Sequence, residues 1–381
     1  MDREMDIGFM RRALELARQG RGTVEPNPMV GCVIVQNGVA IGEGFHQQPG
    51  GPHAEPIALQ NCTSDPAGAT AYVNLEPCCH LSKRTPPCVP RLIAAKIARV
   101  VVGCRDPNPL VSGRGIDALR AAGIAVDENI LGDEAKQLDA TFFKHIEQRR
   151  PYVTLKWAQS ANGKVATIGG ERLIISNRAS LSAMHRLRGL MDAIMVGINT
   201  VLADDPLLTV RDVPALKNPL RVILDTHLRI PLESRILRSA EEFPVLIYCS
   251  HTAVNPRLLD MRGVEVVPVV TDAHGHVSLA QVLDDLGGRN VTHVMVEPGP
   301  TLAAAFLRDN LADRAWIFES SKNVPEKSAR DAIDLQFVTV GEADFEADRF
   351  SERLNPKSEC FFSAVNSADF IICSTLDRLN K

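Results

Sequence analysis

Apolar positions along the chain follow two different periods. Phe9, Met10, Ala13, Leu14 and Ala17 recur at helical spacing and predict an amphipathic helix at the start. "VGCVIV" (30–35) and "IGEGF" (41–45) flank Asn37-Gly38, a pair suited to a tight hairpin turn. A helix is expected from about His53, a strand over "TAYVNL" (70–75), and a helix after Cys88 that tolerates Pro90 in its first turn. "RVVVGC" (99–104) has the continuous apolar character of a buried strand. "GIDALRAAGIAV" (115–126) predicts a helix, a glycine stop and a strand.

The alternation resumes beyond "EQRRP" (147–151), a short charged stretch ending in proline that is the expected linker. In "YVTLKWAQS" (152–160) Val153, Leu155 and Trp157 face one way, as in a strand. Further strands are expected over 192–197, 221–225, 245–250, 264–270 and 291–297, with helical stretches between most of them. The last forty or so residues show weak periodicity, with one possible strand at "ECFFSAV" (359–365). Strands alternating with helices indicate layered α/β domains. A length of 381 residues suits two domains, or three. The expected division is 1–146 and 151–381.

A hydrophobic content of 45% is ample for a core in each. The net charge of −4 and the lack of a dense Lys/Arg block argue against a nucleic-acid partner. The charged N-terminus is unlike a signal peptide, and no run approaches the roughly 18 apolar residues of a membrane span. Nine cysteines, an odd number spread along the chain, do not resemble a disulfide framework, so a cytoplasmic setting is expected. In that setting Cys78, Cys79 and Cys88 point to metal or catalytic chemistry.

"GGPHAEPIAL" places His53 and Glu55 two apart behind a glycine-proline turn, and "LEPCCHLSKRTPPC" (75–88) follows a strand. One histidine and two cysteines can supply three ligands to a zinc ion and leave a fourth place for water. A carboxylate beside the metal, without ligating it, can carry protons, and Glu55 is placed for that work. H-x-E followed by P-C and a second cysteine is the signature of zinc nucleobase deaminases. Residues two apart do not share a helix face, so His53 and Glu55 converge only at an irregular first turn. Cys79 competes with Cys78. Cys78 is preferred because it follows Pro77, which would open a helix whose dipole favours a thiolate, as would the helix after Cys88. In the second half, "VEPGPT" (296–301) ends a strand and opens a helix, so Gly299, Pro300 and Thr301 are candidates to receive a dinucleotide phosphate.

With "PNPMVGCVIV", "PHAE", "EPCCH", "RTPPC", "DPNPLVSGRGI", "VGINTVLADDPLLTVR" and "EPGPTLAAAF" in order, the chain resembles the RibD family, the bifunctional deaminase–reductases of riboflavin biosynthesis. The resemblance implies a cytidine-deaminase-like three-layer N-terminal domain and a dihydrofolate-reductase-like C-terminal domain. It implies zinc on His53, Cys78 and Cys88, with Glu55 as the proton shuttle. Asn27 and His46 would contact the pyrimidine or ribose, and Arg84 the substrate phosphate. Thr200 and Asp204 would line an NADPH site, while Arg188, Leu208, Arg211 and Glu297 would bind substrate. The implied substrate is a small phosphorylated pyrimidine, 2,5-diamino-6-ribosylamino-4(3H)-pyrimidinone 5′-phosphate, and the expected assembly is a homo-oligomer.

The sequence departs from the family pattern in four places. Nine residues separate Cys78 from Cys88 where eight are usual, which leaves Lys83 and Arg84 as rival phosphate contacts. Asn162 stands where aspartate is usual, and Arg172 and Ile174 replace a serine and a tryptophan. "WIFESSKNVPEKSARD" (316–331) lacks the usual Ala-Pro and glycine-rich turn. Three of these fall in the second half. They motivate an alternative, a deaminase with a degenerate reductase-like domain kept for structure. A base deaminase acting on nucleic acid is a third reading, and the net charge argues against it.

Overall fold

The computed structural model describes residues 3–80, 85–167, 175–325 and 329–362. These divide into two compact units, residues 3–148 with Phe362, and residues 149–361. No helix among the described residues is long and apolar enough to cross a membrane.

The first unit runs α1 (Arg3–Ala17), β1 (Gly31–Gln36), β2 (Val39–Phe45), α2 (Ala54–Gln60), β3 (Thr70–Leu75), α3 (Cys88–Ala94), β4 (Arg99–Cys104), α4 (Arg114–Ala121), β5 (Ala125–Glu128), α5 (Gly132–Leu138) and α6 (Ala140–Gln148). Its sheet has the order β2-β1-β3-β4-β5. β1 pairs antiparallel with β2 and β3, and β3, β4 and β5 are parallel. Asn37 and Gly38 take φ of 53° and 78°, the left-handed pair that closes the β1–β2 hairpin. Cys32, Ile34, Val73 and Val102 on one sheet face pack with Ala54, Ala58, Val89, Leu92, Ile116 and Leu119 from α2, α3 and α4. Burying each of the valine, leucine and isoleucine side chains among them contributes about 1.5–3 kcal/mol. α2 lies so close to β2 that a Cβ at Gly44 would stand 2.5 Å from the Ala58 nitrogen. The glycines of "IGEGF" therefore set the height of the helix that carries Glu55.

The second unit runs β6 (Tyr152–Gln159), β7 (Lys164–Thr167), α7 (Arg178–Arg188), β8 (Ala193–Gly197), α8 (Ile198–Asp204), β9 (Leu220–Leu224), α9 (Arg235–Arg238), β10 (Val245–Ser250), α10 (Pro256–Leu259), β11 (Val264–Val269), α11 (Leu279–Gly288), β12 (His293–Val296), α12 (Pro300–Arg308), β13 (Arg314–Glu319), β14 (Ala329–Asp331), β15 (Val338–Phe345) and β16 (Asp348–Leu354). The large sheet has the order β11-β10-β9-β8-β12-β6-β13-β16-β15. It is parallel from β11 to β13, with β16 and β15 added antiparallel. Val153, Leu155 and Trp157 face one core together with Val282, Leu286 and Phe306 of α11 and α12. Leu187, Ile194, Ile223 and Trp316 belong to the core on the opposite face. β12 inserts between β6 and β8, so the chain reverses its direction of travel across the sheet there. Ligands of such sheets bind beyond the carboxyl ends of the strands at this kind of point.

Two expectations about the C-terminal stretch need correction. Residues 359–362 form no strand, and the rest of "ECFFSAV" lies outside the described residues. Instead the weakly periodic region supplies the β15–β16 hairpin. Phe345 and Phe350 are buried there against Phe318, whose ring centroids lie 6.1 and 5.0 Å away.

Candidate active sites

His53 is the N-cap of α2, with extended backbone (φ −76°, ψ 170°), and Glu55 sits in the first helical turn. The break in helical geometry lets two residues of unlike facing converge. Cys88 opens α3 and completes the group. His53 Nδ1 lies 3.5 Å from Cys78 Sγ and 3.3 Å from Cys88 Sγ. Cys88 Sγ donates to Glu55 Oε2 at 3.1 Å. One nitrogen and two sulfurs thus lie within 4.8 Å of one another, the donor set that suits zinc.

The reason given for preferring Cys78 fails, although Cys78 is the cysteine in the cluster. Residues 76–80 are not helical, so no helix starts after Pro77 among the described residues. Cys78 is held from the other side. Its carbonyl accepts the Cys88 and Val89 N–H groups at 3.0 and 3.2 Å, and its sulfur accepts the Cys88 N–H at 3.3 Å. Both thiols therefore meet the N-terminus of one helix, α3. Cys79 is only half-buried and stands outside the cluster.

Without a cation the group is electrostatically unbalanced. The hydrogen bond with Cys78, burial and the nearby Glu55 push the Cys88 thiol well above its ordinary range. Burial, then Cys78, push the Glu55 carboxyl up. A helix N-terminus alone does not offset this. A divalent cation would, so the residues present fit a metal.

Glu76, one residue before Pro77, is buried and accepts N–H groups of Asp106, Gly113, Gly115 and Ile116 at 2.9–3.3 Å. It ties the "EPCC" turn to the start of α4. Sequence reasoning missed this role. The available signal was a glutamate directly after a strand with the β-branched and aromatic character of a sheet interior, where burial demands partners. Asn27 Nδ2 lies 3.0 Å from His46 Nε2, and His46 Nδ1 lies 2.9 Å from the Pro52 carbonyl. Because a carbonyl only accepts, Nδ1 carries the proton and Nε2 accepts from Asn27. His46 is buried and its ring centroid stands 5.4 Å from that of His53. Arg84 and its rival Lys83 lie outside the described residues.

In the second unit a cavity of about 940 Å³ opens over the carboxyl ends of β6, β8, β9 and β12. Thr200, Asp204, Glu297, Gly299, Pro300 and Thr301 all line it. Gly299 is the N-cap of α12 and gives it no side-chain cap. The orphan N–H groups of that turn suit an anionic group. Arg188, Leu208 and Arg211 are not among the lining residues. Arg188 donates to Glu297 Oε1 at 2.7 Å and to the Thr209 carbonyl at 3.3 Å. Leu208 is buried with φ of 55°, and Arg211 bonds the Thr209 hydroxyl at 3.1 Å.

Lys156 lines the cavity beside Glu297 and was not singled out in the sequence. Burial pushes its ammonium pKa down, Glu297 opposes this, and Arg188 adds to it. Burial pushes the Glu297 carboxyl up, but Arg188 and Lys156 outweigh it and hold the group below its ordinary range. A partly buried carboxylate thus lies at the cavity wall beside two basic side chains.

Residues 3–104 match the family described as the cytidine and deoxycytidylate deaminase zinc-binding region, and residues 151–338 the RibD C-terminal domain. The riboflavin biosynthesis protein RibD of Aquifex aeolicus is 42% identical over 326 residues, covering 86% of this chain and 90% of that protein. The protein of the same name from Escherichia coli is 39% identical, covering 83% and 88%. The structure of Acinetobacter baumannii RibD, form 1, is 35% identical with a TM-score of 0.81, covering 93% of this chain and 99% of that one.

The chain belongs to the RibD family.

It is therefore a bifunctional enzyme of riboflavin biosynthesis, with a zinc-dependent deaminase half and an NADPH-dependent reductase half. The alternative with a degenerate second half is not favoured, since the RibD C-terminal match spans the cavity-forming strands. One departure from the family also finds a partner. Asn162 Nδ2 donates to the Val324 carbonyl at 2.7 Å, and its Oδ1 accepts the Val324 N–H at 3.0 Å. An ionised aspartate could not make the first bond. The unusual Asn162 and the unusual segment after β13 are thus matched to each other. Arg172 and Ile174 lie outside the described residues.

Proposed function

We propose that His53, Cys78 and Cys88 hold zinc and that Glu55 is the proton carrier for hydrolytic removal of the 2-amino group of 2,5-diamino-6-ribosylamino-4(3H)-pyrimidinone 5′-phosphate. Zinc in such a site lowers the pKa of its water to about 7 and so makes hydroxide available at neutral pH. Glu55 takes the water proton and returns protons to ring nitrogen and departing ammonia. Its burial supports this, because a desolvated carboxylate binds a proton more readily. Asn27 and His46 are assigned to one wall of the pyrimidine site, and Arg84 to the phosphate.

NADPH is assigned to the cavity of the second unit, where it supplies a hydride to the former anomeric carbon. The N-terminal turn of α12 at Gly299, Pro300 and Thr301 would receive its pyrophosphate, with Thr200 and Asp204 along the same wall. Glu297 and Lys156 face the reacting end, where the Lys156 ammonium, its pKa pushed down by burial, gives the proton that accompanies ring opening. Arg188 keeps Glu297 ionised and in place, and Arg211 is assigned to the substrate phosphate. Expected homo-oligomer assembly rests on family likeness alone. A cytoplasmic setting rests on likeness to the bacterial RibD proteins.

The observation that carries the reading is the convergence of three metal-ligating atoms within 4.8 Å beside the buried Glu55. The test is a two-stage assay on zinc-quantified protein. Ammonia should be released from the diaminopyrimidine without NADPH, and NADPH should be oxidised only once deaminated product is present. Zinc-loaded protein that releases no ammonia overturns the deaminase assignment; NADPH left unoxidised with authentic deaminated product overturns that of the cavity.

A further inference from the structure

The two nitrogens of His53 meet different surroundings. Nδ1 faces both sulfurs, at 3.5 and 3.3 Å, while Nε2 lies 3.0 Å from the Thr85 hydroxyl oxygen. A neutral imidazole that ligates through Nδ1 carries its proton on Nε2, and that N–H needs an acceptor to fix the ring. We infer that Thr85 is a positioning residue of the metal centre, its hydroxyl oxygen accepting the His53 Nε2–H and so fixing tautomer and ring plane. This rests on the zinc reading and deepens it.

The sequence around Thr85 fits the task. Thr85 is followed by Pro86, Pro87 and the ligand Cys88. Two consecutive prolines lock φ at both intervening residues, so the orienting hydroxyl and the thiol are joined by a stiff spacer. Pro87, the N-cap of α3, has φ −64° and ψ 153°, an extended conformation that carries the chain from the His53 edge into the helix. A single short segment thus supplies one ligand and the orienter of another. Metal-bound histidines often lean on a carboxylate or carbonyl. A hydroxyl is a neutral acceptor, and it adds no negative charge to a pocket that already holds two thiols and Glu55.

The test uses the full chain and measures zinc dissociation constants by competition with a chromogenic chelator. Thr85→Val should weaken zinc binding roughly 10- to 100-fold, the usual effect of losing such a partner, and Thr85→Ser should restore it. Val binding as tightly as wild type, or Ser binding as weakly as Val, overturns the inference. If Thr85→Val does not fold, the wild type decides alone. Nitrogen-15 spectra of histidine-labelled, zinc-loaded protein should show a proton on His53 Nε2 and metal on Nδ1, and metal on Nε2 overturns the inference. Wild-type protein that takes up no zinc overturns the metal reading itself, which sets that failure apart from failure of Thr85.

Discussion

The two sites are built in opposite ways. The metal centre draws its ligand atoms from residues 53–88, at the first turns of α2 and α3 and the turn that docks on α3. The reductase cavity gathers its wall from Lys156 to Arg330, at the ends of four strands brought together by the sheet order. In the first, uncommon residue types do the chemistry, and a few hydrogen bonds place them. In the second, common residue types acquire a role from position, and a partly buried charge group stands in place of a metal. A site of the first kind depends on a short stretch of backbone. A site of the second kind depends on the whole sheet.

Glu55→Gln tests that independence with the largest effect expected. The amide keeps the size of the side chain and cannot carry a proton. Ammonia release should fall about 10³-fold, within the usual range for loss of a proton carrier. Zinc content should stay at the wild-type level, and NADPH oxidation with authentic deaminated product should be unchanged. Parallel loss of both activities would mean that the sites are not separate in the way their construction suggests.

Arg188→Met sharpens the other side. Its guanidinium is hardly exposed and pairs with Glu297 at 2.7 Å. Removing one partner of a buried pair costs about 3–5 kcal/mol; Glu297 keeps some contact with solvent and has Lys156 beside it, so the loss here should be about 3 kcal/mol at most. Both tryptophans of the chain, Trp157 and Trp316, belong to the second unit, so their fluorescence in urea reports its unfolding. A double-mutant cycle with Glu297→Gln should recover most of the loss. No recovery would show that Arg188 acts through Thr209 and not through the carboxylate.

How much could be read in advance follows the same division. The hairpin at Asn37-Gly38, the strand at 70–75 and the grouping of His53, Cys78 and Cys88 were legible because turn chemistry and cysteine spacing are local signals. The β15–β16 hairpin was not, because its strands lie at a sheet edge and their burial is discontinuous. Gly299, Pro300 and Thr301 could be found from a strand-to-helix turn. Lys156 could not. It sits on the far side of a strand from Val153, Leu155 and Trp157, and nothing local distinguishes it from a solvated lysine. Only the insertion of β12 next to β6 sets Glu297 beside it. The preference for Cys78 shows a subtler limit, since Cys78 does join the cluster but not for the reason that favoured it. The sulfur is oriented by α3, ten residues on, and not by a helix of its own.

The smallest effect concerns the loss of stability between pH 7 and 4.5, to which one histidine of the second unit should contribute. His185 in α7 is buried, and burial first, then Arg188 and Arg211, push its pKa down to about 4, with Glu297 and Asp212 opposing. Its Nδ1 accepts the Arg211 backbone N–H at 3.3 Å, a bond that protonation would break. The unfolded chain takes up this proton near pH 6.5 and the folded chain does not until about 4. Below pH 6.5 the unfolded state therefore binds more protons, and stability falls with pH until the folded histidine also titrates. At roughly 1.4 kcal/mol per decade, the loss between pH 7 and 4.5 should be about 2 kcal/mol. Glu297 adds to the loss only lower down, as pH falls through its own depressed pKa. His185→Gln keeps an acceptor for Arg211 but has no proton to take up, so its urea midpoint, followed by tryptophan fluorescence, should vary less with pH than that of wild type. Equal slopes for the two proteins over pH 6.5–4.5 would mean that His185 is protonated alike in folded and unfolded chains, and that the cations around it leave it open to water.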